Sequence, residues 1–102
     1  MHPTDFRLFV QEAQAFQLEL LDAKGQEYSS EADKFENCRR GARILGCKPS
    51  QFARYCKAKH EVSVEMIMDG TVDATPELLR EKFTDLANWD YIIHGLLLEE
   101  LG

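Results

Sequence analysis

The fold is decided by residues 75–100, which read TPELLREKFTDLANWDYIIHGLLLEE. Thr75 is a favourable N-cap, Pro76 has a backbone φ angle already suited to the first turn, and Glu77 places a negative charge at the positive end of the helix dipole. At about 100° per residue, apolar side chains then recur on one side of a helix. They are Leu79, Leu86, Ile93 and Leu97, with Phe83 beside them. The stretch therefore predicts a long amphipathic helix.

An acidic stripe lies next to this apolar one. On the helical projection Asp85 falls between Trp89 and Ile92 and not on the opposite, solvent-facing side. A carboxylate in such surroundings is costly unless a lysine, a backbone amide or a divalent metal satisfies it. Glu81 lies one turn before Asp85, and two carboxylates at this spacing can share a hard cation such as Mg²⁺. The alternative is an ordinary acidic edge of an amphipathic helix.

Helical patterns also cover the rest of the chain. A first helix is predicted from Thr4 to Gly25, and a second over Ser30–Leu45, with Ser30 as its cap and Asp33 at its third position. A third helix opens at Pro49 and continues to about residue 68. No β-hairpin signal is present. The expected fold class is all-α, a four-helix bundle-like single domain spanning residues 1–102.

Composition and net charge argue against some classes of function. The chain has 102 residues, 44% of them hydrophobic, and a net charge of −6. An acidic chain argues against binding along a nucleic-acid backbone, so a helix-turn-helix at residues 46–51 is the weakest interpretation. Three widely spaced cysteines and the absence of a signal-peptide pattern predict the reducing cytoplasm, that of the host if the chain is phage-encoded. No apolar run is long enough for a membrane span.

Basic residues concentrate in the middle of the sequence, where they could hold a small anion or form solvated helix faces. They are Lys34, Arg39, Arg40, Arg43, Lys48, Arg54, Lys57 and Lys59. On the third helix, Lys57 and His60 share a face with Glu61, and Glu65 follows one turn later. Glu61 and Glu65 could add oxygens to a metal site between helices, while Lys57 could hold a phosphate or neutralise Asp85. Solvated side chains are the alternative for each.

Two further residues could contact a nucleobase. Tyr28, in the loop predicted after the first helix, could stack on a base, and Asn37 could hydrogen-bond to one. The alternative is that Tyr28 and Phe35 close the end of a helical bundle.

Four short motifs, spread in order over about residues 20–99, resemble a known family. They are Lys24-Gly25-x-Glu27-Tyr28, Phe35-x-Asn37, Lys57-x-x-His60 and Asp85-Leu86-Ala87-Asn88-Trp89. Together they resemble the MazG-like all-α nucleoside triphosphate pyrophosphohydrolases, and among these the nucleotide-modification-associated domains found in phages.

The resemblance implies an oligomeric helical protein with its site between helices near the nucleotide phosphates. It implies that carboxylates hold Mg²⁺ while water attacks a nucleoside triphosphate, which yields the monophosphate and pyrophosphate. Asp85 matches the acidic residue of the last motif, and Glu81 is its expected catalytic companion. The implied metal ligands are Glu61, Glu65, Glu81 and Asp85. The implied nucleotide-binding residues are Lys24, Tyr28, Asn37, Lys57, His60 and Asn88.

The motifs differ from the catalytic pattern in their spacing. The pairs Glu61/Glu65 and Glu81/Asp85 are four residues apart, whereas catalytic relatives use three, and Lys82 stands where a glutamate is expected. These differences favour nucleotide binding without turnover over hydrolysis. A non-enzymatic helical interaction or inhibitor protein is the alternative, because residues 86–98 are apolar almost all round the helix.

Overall fold

A computed structural model describes the backbone of residues 1–28 and 33–102 and the side chains of residues 1–23 and 33–102. Over these residues the chain forms four α-helices and no strand, which confirms the predicted all-α class. The helices are α1 (Pro3–Tyr28), α2 (Glu36–Leu45), α3 (Pro49–Met68) and α4 (Pro76–Leu101). None of the helices so described is long and apolar enough to cross a membrane.

The predicted bounds of α3 and α4 are confirmed, α4 ending one residue later than expected. At the start of α4 the backbone N–H of Leu78 donates to Thr75 Oγ1 at 3.1 Å, which satisfies one of the free amides of the first turn. At the start of α3 the Gln51 side chain accepts from the backbone N–H of Lys48 at 3.0 Å. Each helix begins with proline, as the sequence indicates.

The predicted bounds of α1 are wrong at both ends. The helix begins at Pro3 because His2 provides the cap, its Nδ1 accepting the backbone N–H of Thr4 at 3.1 Å. It also continues through Gly25 to Tyr28. A glycine inside a helix costs only about 1 kcal/mol relative to alanine, so Gly25 alone does not end it.

The predicted start of α2 is also wrong, since the helix begins at Glu36, and Ser30 lies outside the described residues. Asp33 precedes the helix. Its Oδ1 accepts from the backbone N–H of Phe35 at 3.0 Å, and its Oδ2 accepts from Arg39 Nε at 2.7 Å. An aspartate that binds the amide two residues on forms a turn in place of a helix. The predicted C-cap Gly46 is confirmed, with a φ of 69°.

The hydrophobic core lies where α2, α3 and the C-terminal half of α4 meet. Cys38, Ala53 and Leu96 form its buried centre, one residue from each helix. Around this centre pack the larger, partly buried side chains Phe35, Phe52, Trp89, Ile92 and Ile93. A Cβ placed on Gly41 would lie 2.2 Å from the Phe52 ring, so the close approach of α2 and α3 requires glycine there.

Polar contacts tie the C-terminal end of α4 to this core. The Glu100 carboxylate accepts from the backbone N–H of Ser50 at 3.1 Å and from the Ser50 hydroxyl at 2.8 Å. These hydrogen bonds hold the pKa of Glu100 below its usual range, because they stabilise the charged form at the N-terminus of α3. Arg39 pairs with both Asp33 and Glu99.

The opposite end of the molecule is more open. There α1 packs along the N-terminal half of α4, and no side chain of α1 among residues 3–23 is buried. Between the two helices lies a groove of about 850 Å³. The α1–α4 end therefore has no buried apolar centre of its own among the described residues.

Candidate functional site

Three mostly covered polar side chains lie on α3 and α4, and we call them the polar cluster: His60, Asp85 and Asn88. Asp85 is only 6% exposed, as its place on the helical projection predicts. His60 Nδ1 on α3 lies 3.5 Å from Asp85 Oδ2 on α4, and the His60 side chain is itself mostly covered. An imidazole facing a buried carboxylate reduces the cost of keeping that charge away from water.

Asn88 lies three residues after Asp85, on the same side of α4, and is 7% exposed. Its Oδ1 is buried and accepts no hydrogen bond within the described structure. Buried polar atoms almost always have a partner, so an acceptor of this kind marks a place where a donor is expected. Three polar side chains within five residues of α4 are buried, because Thr84 joins Asp85 and Asn88 on that stretch of the helix.

An aromatic ring adjoins the polar cluster. The ring centroid of Trp89 lies 6.3 Å from that of His60, with an angle of 33° between the planes. Trp89 follows Asp85 by four residues, so one turn of α4 places the indole beside the carboxylate. Since Trp89 is the only tryptophan of the chain, its fluorescence reports on this site alone.

Lys57 pairs with Asp90 and not with Asp85. Its Nζ lies 2.7 Å from Asp90 Oδ1, and the interaction raises the pKa of Lys57. Because Asp90 is largely exposed, this pair sits at the outer edge of the site. His60, and not Lys57, is therefore the side chain that faces Asp85, which contradicts the expected Lys57–Asp85 pair, whereas the phosphate role of Lys57 stays a prediction.

The four proposed metal ligands are not equivalent. Asp85 is buried, whereas Glu61, Glu65 and Glu81 are exposed. Within the described part of the chain, no three histidine, cysteine, aspartate or glutamate side chains come close enough together to hold a metal ion. These residues do not fit the Mg²⁺ site that the resemblance implies, and Mg²⁺ binding stays a prediction.

The remaining nucleotide-binding predictions lie on or near α1 and α2. Asn37 is exposed in the first turn of α2. The side chains of Lys24 and Tyr28 lie outside the described residues, so their predicted roles stay predictions.

The pairing of Lys57 with Asp90 has a signal in the sequence, although it requires the register between two helices. Antiparallel helices pair later residues of one with earlier residues of the other. His60 faces Asp85, so Lys57, one turn earlier on α3, must face a residue about one turn later on α4, which is the position of Asp90. Ser50 and Glu100 continue the same register at the far end.

No family model, curated protein or solved structure matches this chain. Any functional conclusion therefore depends on the chemistry of the polar cluster itself.

Proposed function

We propose that this chain binds a nucleotide at the polar cluster between α3 and α4. The observation that carries the proposal is the burial of Asp85 and Asn88 at positions where apolar side chains would pack more favourably. Burying polar groups in this way costs stability unless each is hydrogen-bonded. The unsatisfied Oδ1 of Asn88 is such a cost, and departures of this kind from a well-packed core are expected at functional sites.

The chemistry of the polar cluster suits a nucleoside. Asn88 Oδ1 needs a donor, and the amino groups of bases and the hydroxyls of ribose are donors. Asp85 accepts hydrogen bonds when ionised, and His60 can donate or accept according to its protonation. Trp89 lies next to His60 and packs partly against the core, so we expect a base to stack on the part of the indole that stays exposed. The quoted motifs that resemble nucleotide-binding domains include all four of these residues.

The phosphates are expected on the Lys57 side of the polar cluster. Lys57 is committed to Asp90, but the Asp90 carboxylate is well exposed and that pair is weak. A phosphate can therefore replace Asp90 as the partner of Lys57 at small cost. Two more cations of α3, Arg54 and Lys59, are exposed on the same helix.

Hydrolysis is kept separate from binding. Cleavage to monophosphate and pyrophosphate would require water to attack the α-phosphorus and break the α–β bond. The implied Mg²⁺ would have to be held by carboxylates that the described residues do not bring together. We therefore propose nucleotide binding alone.

Thermal unfolding in the presence of nucleotides tests the proposal. A ligand that binds only the folded chain at 100 times its Kd stabilises it by about 2.7 kcal/mol, which raises the Tm by roughly 10 °C. The probes are a panel of ribo- and deoxyribonucleoside mono- and triphosphates, with and without Mg²⁺. Asp85→Asn and Asn88→Ala should each lose most of the shift, because each removes a group that contacts the ligand.

Asp90→Asn is the matched control. It removes the same charge from an exposed position of α4 and frees Lys57, so the nucleotide-induced rise in Tm should persist or increase. Absence of any shift at millimolar nucleotide, in the wild type and in Asp90→Asn, would overturn the proposal in favour of the non-enzymatic interaction protein. Pyrophosphate release in the same samples tests hydrolysis independently.

A further inference from the structure

The folded chain exposes more surface than a monomer of its size should. Its accessible surface is 7654 Å², whereas a monomer of 11.7 kDa is expected to expose about 5,900 Å². Its radius of gyration is 15.4 Å, against about 13 Å for a compact domain of this length. Roughly 1,800 Å² of surface per chain is therefore in excess of the monomer expectation.

Part of the exposed apolar surface is at the α1–α4 end, where it includes three large aromatic side chains. Phe6 and Phe9 lie on the apolar stripe of α1, in contact with each other, yet both are more than half exposed. Phe83 of α4 is likewise about half exposed. Large aromatic side chains left in water at one place indicate a surface that is covered in the working state of a protein.

These side chains border the groove between α1 and α4. Its walls are largely apolar, with Phe9 and Ala13 on the α1 side and Leu79, Phe83 and Ala87 on the α4 side. Gln17 also lines it, and Gln17 Nε2 is buried with no hydrogen-bond partner within the described structure. An occupant of the groove thus makes apolar contacts along its length. It can also accept one hydrogen bond from Gln17 Nε2.

We propose that a second copy of this chain occupies the groove, through a two-fold symmetric interface in which α1 of each subunit packs against α1 and α4 of the other. Covering the whole excess of about 1,800 Å² per chain would bury about 3,600 Å² in total, an upper limit that lies within the range of obligate dimers. Helices α1 and α4 have 26 residues each. Two such pairs form a four-helix arrangement with matched lengths.

The charge of α1 argues against a membrane as the occupant. The helix carries Asp5, Glu12, Glu19 and Asp22 but only Arg7 among residues 3–23. Helices that lie on membranes are rich in lysine and arginine on their polar face, which attracts anionic lipid. An acidic helix with an exposed apolar stripe fits a protein interface instead.

The apolar groove residues of α4 and Asp85 lie on opposite faces of the helix, and Thr84, which also lines the groove, lies between them. Phe83 and Ala87 are each two residues from Asp85, a rotation of about 200° around the helix. The proposal therefore does not depend on nucleotide binding, and each can fail alone.

Sedimentation equilibrium on the full chain tests the proposal. The wild type should sediment at twice the 11.7 kDa of the chain at micromolar concentration. Phe9→Glu should raise the Kd of the dimer by about 100-fold or more, because a symmetric interface loses the apolar contact twice and buries two charges. The matched control is Ile44→Glu, a similarly sized change at an exposed apolar residue of α2, which should leave the dimer intact.

Hydrogen exchange on the wild type keeps the test independent of any variant. The amides of α1 should exchange more slowly as protein concentration rises through the Kd, while those of α3 stay unchanged. A wild-type chain that is monomeric up to 100-micromolar concentrations, or a Phe9→Glu dimer as tight as the wild type, would overturn the proposal. If the wild-type chain is monomeric, the groove would instead be assigned to a different protein partner.

Discussion

The two ends of α4 differ in how completely they are covered. Near its C-terminus Leu96 is 1% exposed, enclosed by α2 and α3, and Glu100 is hydrogen-bonded to the start of α3. We call this the core end. Near its N-terminus, at the groove end, α4 packs beside α1, and Phe83 stays about half exposed beside an open groove. One helix of continuous apolar pattern thus has one end closed by its own chain and one end open.

An apolar sequence pattern alone therefore does not indicate which element, if any, covers a helix. The groove end presents large apolar residues as the core end does, but α1 covers them only in part, so that Phe83 and Leu79 stay partly exposed. Between the two ends the buried side chains are polar: Thr84, Asp85 and Asn88. The core end provides stability, the middle of α4 provides a candidate binding site, and the groove end provides a candidate interface.

The largest expected difference in stability is between truncation of a leucine at the core end and truncation of an exposed leucine on α1. Leu96→Ala removes a fully buried side chain at the core end and should lower the free energy of unfolding by about 2–5 kcal/mol. Leu18→Ala makes the same change on the exposed side of α1, where the side chain is 63% exposed, and should cost less than about 0.5 kcal/mol. Urea denaturation of both variants measures the difference, and equal losses would contradict the asymmetry.

Gly41→Ala should reveal how tightly the core end is packed. The new methyl group meets the Phe52 ring, and such overpacking costs about 1–3 kcal/mol despite the better helix propensity of alanine. Phe52→Leu in the same chain makes room for the methyl group and should recover part of the loss. A Gly41→Ala variant as stable as the wild type would show that α2 and α3 are not in close contact.

Asn88→Leu should separate stability from binding at the middle of α4. It removes a buried acceptor that has no partner within the described structure, so the ligand-free chain should gain about 1 kcal/mol of stability. The same change should abolish the nucleotide-induced rise in Tm. Loss of stability in Asn88→Leu would indicate that Asn88 is satisfied in the free protein and serves the fold.

The smallest expected effect is the pH dependence of the Glu100 contact. Since the folded chain lowers the pKa of Glu100, its contribution to stability is complete above the unfolded pKa of about 4.3 and is lost as the pH falls through the lower folded pKa. Glu100→Gln should therefore be less stable than the wild type at pH 7, and the gap should close in strong acid. Ser50→Ala, which removes one donor, should show part of the same pattern. A gap that is unchanged at low pH would contradict this origin.

Local signals explain which parts of the fold could be predicted. Pro49 and the Thr75-Pro76 pair mark the starts of α3 and α4 strongly, and both helices begin where the sequence indicates. The end of α1 and the start of α2 were missed for opposite reasons. Gly25 is a weak stop signal, while the Asp33 side chain captures an amide and delays the next helix.

For the candidate site, the sequence predicts which side chains share a face of one helix but not which side chains face each other across two helices. The burial of Asp85 follows from its position on α4, and the structure confirms it. Its facing partner depends on the register of α3 against α4, which is set by the packing of Ala53 and Leu96 well away from the site. For that reason the sequence identified His60 and Lys57 as candidates but could not assign the first to Asp85 and the second to Asp90.

A fluorescence titration of Trp89 with nucleoside triphosphates, with and without Mg²⁺, examines the polar cluster without any label. Because Trp89 is the only tryptophan and lies beside His60, a nucleotide bound there should change its emission in a saturable manner. The change should be lost in Asp85→Asn and retained in Asp90→Asn. Emission that stays constant up to millimolar nucleotide, or that responds equally in Asp85→Asn, would contradict a nucleotide site between α3 and α4.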